Sequence, residues 1–110
     1  MQVHAITKNV RMSAQKMREL VRQIQGLPAL QAQAVLAVVP RKSARVVAKT
    51  LKSAIANAEN NNGAKPETLR VHEAVAGTAT TFRRFTPKAR GSAGPILKRN
   101  CHVKIVLSDE

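Results

Sequence analysis

Residues 42–60 read KSARVVAKTLKSAIANAEN, and this stretch decides the fold. Its apolar residues recur every three or four positions, the spacing of one face of an α-helix: Ala44, Val47, Ala48, Leu51, Ile55 and Ala58. At about 100° per residue, four cations fall on the opposite side: Lys42, Arg45, Lys49 and Lys52. The stretch therefore predicts one helix with a core face and a cationic face.

Two shorter helices are predicted before this one. Ser13 is a suitable N-cap, and apolar residues follow at helical spacing as far as Ile24, until Gly26 stops the run. Residues 29–39 are rich in good helix formers, and Pro40 ends that helix because the residue before a proline resists helical angles.

The remaining segments have strand character. Residues 2–8 alternate weakly and predict an edge strand, whereas residues 69–81 and 102–107 predict two strands that pair antiparallel. In the last strand, Val103, Ile105 and Leu107 form one apolar face that can lie on the helices. We therefore predict one α+β domain over residues 1–110, with three helices packed on a small antiparallel sheet.

A basic segment separates the last two strands. Residues 82–99 contain no acid and six cations: Arg83, Arg84, Lys88, Arg90, Lys98 and Arg99. Glycines and prolines near its middle suit a chain reversal, so we predict a long protruding basic β-hairpin at about 76–106 with its tip near 87–96. An arm of about fifteen residues spans roughly 50 Å, well beyond the radius of gyration of about 13 Å expected for such a domain. The alternative is a disordered basic loop that RNA phosphates would order.

Charge defines the class of partner. The chain has 19 Lys and Arg against 6 Asp and Glu, a formal net charge of +13, which favours binding to a polyanion such as nucleic acid. Anionic membrane is the other polyanionic surface, but no apolar run approaches the length of a membrane span, and the start of the chain does not resemble a signal peptide. We therefore expect a cytosolic protein without a membrane partner.

Catalytic and metal-binding patterns are absent from the sequence. Glu59, Glu67 and Glu73 are separated by turn signals, and the sequence contains neither a glycine-rich phosphate loop nor a Ser, His, Asp set. The single cysteine, Cys101, and three scattered histidines give no zinc spacing. We expect a non-enzymatic protein with no metal and no cofactor, and histidines on strand surfaces.

A second candidate site lies at the start of the first helix. Ser13 is surrounded there by Arg11, Lys16 and Arg18, although the helix dipole at an N-terminus prefers anions. A bound phosphate would explain the cations, and an ordinary serine cap beside exposed cations explains them equally well. The cationic face of residues 42–60 could also be an ordinary solvated surface that binds no partner. Solvated helix faces usually carry acids between the cations, however, and Glu19 is the only acid from Met1 to Ala58.

Three stretches carry a resemblance to a known family. Residues 53–61 read SAIANAENN, Arg83 is followed by the basic run from Lys88 to Gly91, and residues 102–107 read HVKIVL. Together with the cluster around Ser13, they resemble the large-subunit ribosomal protein twenty-two family in its bacterial form, from Val10 onward. The chain departs from the residues common in that family at Ala14, Lys88, Ser92 and the pair Gly94-Pro95.

The resemblance implies a place in the cytoplasm, in the ribosome. Its expected partners are large-subunit ribosomal RNA, neighbouring ribosomal proteins and the nascent peptide. The hairpin would pass through the RNA and help line the peptide exit tunnel with its tip: Lys88, Ala89, Arg90, Gly91 and Ser92. A DNA-architectural protein with basic β-arms is the alternative, although such proteins dimerise through a large apolar interface. A nucleic-acid enzyme ranks third, because no metal-binding carboxylate pair supports it.

Overall fold

A computed structural model of the chain describes residues 2–87, 91 and 93–109. It confirms the α+β class, with α-helices packed on an antiparallel sheet. The helices are α1 (Ala14–Ile24), α2 (Ala29–Val38) and α3 (Lys42–Asn62), and a 3₁₀ turn follows at Pro66–Thr68. The strands are β1 (Gln2–Val10), β2 (Arg70–Thr78), β3 (Phe82–Pro87), β4 (Ala93–Lys98) and β5 (Cys101–Ser108). None of the helices in these described residues is both long and apolar enough to cross a membrane.

Helix α3 packs its apolar face into the core as the sequence predicts. Val47, Leu51 and the other residues of that stripe are buried, except Ala48, which is only partly buried, and the helix runs two residues beyond Asn60. It ends at Gly63, whose φ of 64° lies in the left-handed region that glycine adopts without strain. The backbone N–H groups of Gly63 and Ala64 donate to the carbonyls of Glu59 and Ala58, so the end of the helix is well capped.

A polar residue that the periodicity missed joins α3 to the sheet. Thr50 is 1% exposed, and its hydroxyl donates to the carbonyl of Val46 at 2.9 Å. The Thr7 hydroxyl of β1 lies 2.6 Å from the Thr50 oxygen and completes the pair as donor. Because both hydroxyls have partners, a threonine can replace an apolar residue at this position at little cost.

The main sheet has the strand order β1-β5-β2, and all its pairs are antiparallel. This confirms the predicted edge strand, which extends to Val10, and the predicted pairing of the last two segments. Val103, Ile105 and Leu107 are fully buried on the helix side. Val106 and Ser108 are also buried, although they alternate with that face, because β5 is the central strand and has a neighbour on each side.

Beyond the main sheet, β3 and β4 form a separate two-stranded antiparallel sheet. Its register runs from Phe82 opposite Lys98 to Pro87 opposite Ala93, whereas the pairing of β2 with β5 ends at Thr78 opposite Cys101. The buried Asn100 links the two regions, since its side-chain amide donates to the Thr80 carbonyl at 2.8 Å. The molecule measures 63 × 26 × 17 Å. The assignment of residues 1–110 to one domain, and of residues 76–106 to one long protruding hairpin, stays a prediction.

Candidate nucleic-acid interface

Helix α3 presents the predicted row of cations on the side opposite its buried face. Lys42, Arg45, Lys49 and Lys52 are all exposed. At about 1.5 Å rise per residue the row is roughly 15 Å long, the length of a few successive backbone phosphates. Within the part of the chain that the structure describes, none of these four side chains forms an ion pair with an acid. Their charges are therefore available to a polyanion.

The structure brings three of the predicted basic segments together at one junction. The Arg11 guanidinium donates to the Arg99 carbonyl at 2.9 Å, and the Lys42 ammonium donates to the Arg11 carbonyl at 3.3 Å. These two hydrogen bonds join the turn before α1, the beginning of α3 and the segment between β4 and β5. The cationic row of α3 is thus continuous with the base of the β3–β4 sheet.

The start of α1 has the geometry of a capped helix. Ser13 has extended backbone angles, and its hydroxyl accepts a hydrogen bond from the backbone N–H of Lys16 at 3.5 Å. The Lys16 side chain is exposed. Arg18 is exposed as well, but its Nε donates to the Ala76 carbonyl at 3.0 Å. Arg18 therefore fastens α1 to β2 and stands apart from the junction at Arg11 and Lys42.

A shallow basic pocket of about 430 Å³ lies between the beginnings of α1 and α3. We call this site the basic pocket, and it is lined by Met12, Lys16, Glu19, Arg41, Lys42 and Ser43. The Arg41 guanidinium lies 3.3 Å from the Glu19 carboxylate, and both side chains are 57% exposed, so the pair contributes at most about 1 kcal/mol to stability. Sequence reasoning missed Arg41 and Ser43. Their position directly beside Lys42 at a helix start was the available signal.

The β3–β4 sheet carries cations on both of its faces. Phe82 and Arg84 share one face with Lys98, and the Arg84 guanidinium lies 5.8 Å from the centre of the Phe82 ring. Arg83 lies on the other face, opposite Leu97. The predicted site residues Arg83, Arg84, Lys98 and Arg99 are all exposed. A strand pair with cations on both faces suits an environment of phosphates on both sides.

Of the five predicted tunnel-facing residues, 88–92, the structure describes only Gly91, whose φ is 75°. The predicted RNA-binding residues Lys88 and Arg90, and the predicted tunnel-facing residues Ala89 and Ser92, lie outside the described residues.

The titratable groups that could support catalysis are dispersed. His4 and His72 are exposed, and His102 is partly buried and accepts a hydrogen bond from the Asn9 backbone N–H through Nδ1 at 3.0 Å. Cys101 is buried, and desolvation raises the pKa of its thiol. Among the described residues, His, Cys, Asp and Glu do not gather in any group of three or more that could hold a metal ion.

The fold and this surface define a small basic α+β protein that presents cations to its surroundings. The family model of ribosomal protein L22p/L17e matches residues 5–108. The Large ribosomal subunit protein uL22 of Opitutus terrae is 50% identical over 99% of this chain and 96% of its own length. Those of Methylacidiphilum infernorum and Akkermansia muciniphila are 47% and 46% identical over the whole chain and over 96% and 98% of their lengths.

The chain therefore belongs to the ribosomal protein L22p/L17e family. It is a structural protein and not an enzyme.

Proposed function

We propose that this protein is a structural constituent of the large ribosomal subunit and that it binds and organises large-subunit ribosomal RNA. It works in the cytoplasm as part of the ribosome, beside neighbouring ribosomal proteins. The three relatives are named as large-subunit ribosomal proteins, and each matches this chain over nearly its whole length. The observation that carries the RNA-binding part is the cationic row on α3, which lies opposite the core and has no acidic partner among the described residues.

The chemistry of the surface favours the RNA backbone over base edges. Lysine and arginine neutralise phosphates and so position an RNA, whereas sequence reading requires contacts to base edges or stacking aromatics. The chain has two phenylalanines and no Trp or Tyr, so few rings are available to stack on bases. The protein therefore recognises the shape of folded RNA more than its sequence.

The arginines and lysines have different tasks in this binding. The planar guanidinium of Arg45, Arg83 or Arg99 can bridge two phosphate oxygens, whereas a lysine acts as a mobile point charge. Arginine also stacks, as Arg84 does over Phe82 at 5.8 Å. Replacing these arginines by lysine keeps the charge and removes the bidentate geometry.

The cationic row of α3 and the β3–β4 sheet have different roles in RNA binding. Helix α3 is held on the core and docks the domain on RNA. The β3–β4 sheet is separate from the main sheet, and it carries its cations, Arg83 and Arg84 among them, into the RNA interior. The hairpin tip, at residues 88–92, then helps line the exit tunnel next to the nascent peptide.

A competition experiment tests RNA binding against the DNA-architectural alternative. The protein is bound to a labelled fragment of large-subunit ribosomal RNA and displaced, at one fixed salt concentration, by unlabelled structured RNA or by duplex DNA of equal length. We expect the RNA to displace the label at a much lower concentration. If duplex DNA displaced the label equally well or better, the result would contradict the proposed binding to ribosomal RNA. It would favour a DNA-architectural protein with basic β-arms.

A further inference from the structure

The basic pocket combines features that suit one small anion. It is lined by Lys16, Arg41 and Lys42, and Glu19 is the only acid among the described residues that line it. Two helices begin at it, since α1 starts at Ala14 and α3 at Lys42, and neither has an acid in its first turn. Its volume of about 430 Å³ is open to the surface, so it can receive a group that remains attached to a long polymer.

The side chain of Ser43 is the observation that points to a ligand. Ser43 is only 2% exposed and lines the basic pocket, and its hydroxyl has no hydrogen-bond partner among the described residues. No fully enclosed side-chain nitrogen or oxygen in the described part of the chain lacks a partner. The Ser43 hydroxyl oxygen is therefore not fully enclosed, and because Ser43 lines the pocket, this hydroxyl can donate to a group that enters.

The backbone at the start of α3 offers further donors. The N-cap residue of α3 is Arg41, which makes no capping hydrogen bond with its side chain, whereas Ser13 caps α1. The first N–H groups of a helix have no acceptor within the helix, and the side chain at the N-cap of α3, Arg41, accepts from none of them in the described part of the chain. A phosphate oxygen accepts from such N–H groups and is favoured by the helix dipole.

Glu19 does not prevent an anion from entering. Its side chain is 57% exposed, and its carboxylate pairs with the Arg41 guanidinium at 3.3 Å. An exposed pair of this kind contributes little and can exchange partners readily. An entering phosphate can take over the Arg41 guanidinium, whose planar fork matches phosphate oxygens.

We propose that the basic pocket binds one phosphate group of the RNA backbone. The Ser43 hydroxyl and the first N–H groups of α3 donate to the phosphate oxygens, and Lys16, Arg41 and Lys42 supply the positive charge. This inference rests on the proposed RNA binding and adds a defined subsite to it. Because Lys42 also holds the Arg11 carbonyl at 3.3 Å, the bound phosphate fixes the RNA relative to the base of the β3–β4 sheet.

The first test uses inorganic phosphate and the isotope-labelled full chain. Backbone amide signals are followed by NMR while phosphate replaces chloride at constant ionic strength. We expect saturable shifts at Ser43 and its helical neighbours, and about tenfold weaker phosphate binding in the Ser43→Ala variant, because a hydrogen bond to a charged group is worth about that factor or more. Ser53→Ala is the matched control, since Ser53 is an exposed serine on the same helix.

The second test repeats both serine variants with a fragment of large-subunit ribosomal RNA. We expect Ser43→Ala to weaken RNA binding by about tenfold and Ser53→Ala, which lies beside the cationic row of α3, to weaken it far less, with melting temperatures equal to that of the wild type. Lys42→Gln should lower the slope of log affinity against log salt by about one phosphate contact.

The outcomes separate the pocket from the wider function. Shifts that do not saturate, or equal phosphate binding by the two serine variants, would overturn the pocket. A Ser43→Ala variant that loses phosphate but binds RNA like the wild type would show a site for free phosphate, which overturns the RNA ligand. Failure of the wild-type protein to bind the RNA would overturn the proposed function, while the phosphate titration would still decide whether the pocket takes an anion.

Discussion

Removing the cationic row of α3 should abolish most RNA binding while the protein stays folded. The variant replaces Lys42, Arg45, Lys49 and Lys52 by glutamine, which lowers the formal net charge by four from +13. All four side chains are exposed, and glutamine is about as good a helix former as lysine or arginine. Among the hydrogen bonds between described residues, the variant loses only that of Lys42, so the free energy of unfolding should fall by about 1 kcal/mol at most.

The loss of RNA affinity follows from the number of phosphate contacts removed. Each neutralised phosphate contributes about 0.9 to the slope of log affinity against log salt, so four contacts lower that slope by about 3.6. The RNA affinities of the variant and the wild type become equal near 1 M salt. At 0.1 M salt the variant binds RNA more weakly by roughly three to four orders of magnitude. Filter binding between about 50 and 200 mM salt measures both the slope and the affinity.

A second quadruple variant controls for net charge. Four other exposed cations lie outside α3, and their replacement by glutamine removes the same charge: Lys8, Lys65, Arg70 and Lys104. We expect this control to lose far less affinity than the α3 variant. An equal loss in both variants would show that RNA responds to the total charge of the protein, and the reasoning from the α3 surface would be refuted.

Four further predictions concern the hairpin, the core, a helix end and the buried thiol. In one variant Asn-Gly replaces residues 85–95, because Arg84 and Ile96 are paired and a two-residue turn can join them. This variant should enter sedimenting large subunits nearly as well as the wild type, and cells that carry it should change in macrolide sensitivity, because the deleted tip is proposed to line the exit tunnel. Leu51→Ala should lower the free energy of unfolding by about 2–5 kcal/mol in urea, since Leu51 is fully buried. Gly63→Ala should lower the free energy of unfolding by about 1–2 kcal/mol because its φ is 64°. Gly77→Ala should leave it nearly unchanged in the same assay, since no atom of the described residues lies within 4 Å of the added carbon. Burial raises the pKa of the Cys101 thiol above its ordinary value of 9.0, so the thiol ionises at lower pH in the unfolded chain than in the folded one. The free energy of unfolding of the wild type should therefore fall relative to that of Cys101→Ala as pH rises above 9.0. A difference in free energy between the two proteins that is the same at pH 8 and pH 10 would contradict this.

The fold could be predicted where local chemistry and tertiary packing agree. The helix-spaced stripe around Leu51, the serine cap at Ser13 and the alternation in β5 each describe one element and its buried face. The burial of Val106 could not be predicted in this way, since it depends on the central position of β5 between two other strands. The pair of Thr50 with Thr7 likewise depends on two segments that meet only in the folded chain.

The candidate site was predictable as a set of cations and not as an arrangement. Composition and helical spacing identify the exposed row that begins at Lys42. They could not reveal that Arg18 turns toward the Ala76 carbonyl of β2. The basic pocket was missed for a similar reason, because Lys16 and Ser43 lie far apart in sequence and come together only where two helices begin side by side.

Crosslinking in living cells tests the central claim most directly. The protein is crosslinked to its nucleic acid by ultraviolet light, purified under denaturing conditions, and the attached RNA is sequenced. We expect one large-subunit ribosomal RNA to dominate the reads, with the contact sites lost when the four cations of α3 are replaced by glutamine. Reads spread over messenger and transfer RNAs, or crosslinks mainly to DNA, would contradict the proposal that this protein binds the RNA of the large ribosomal subunit.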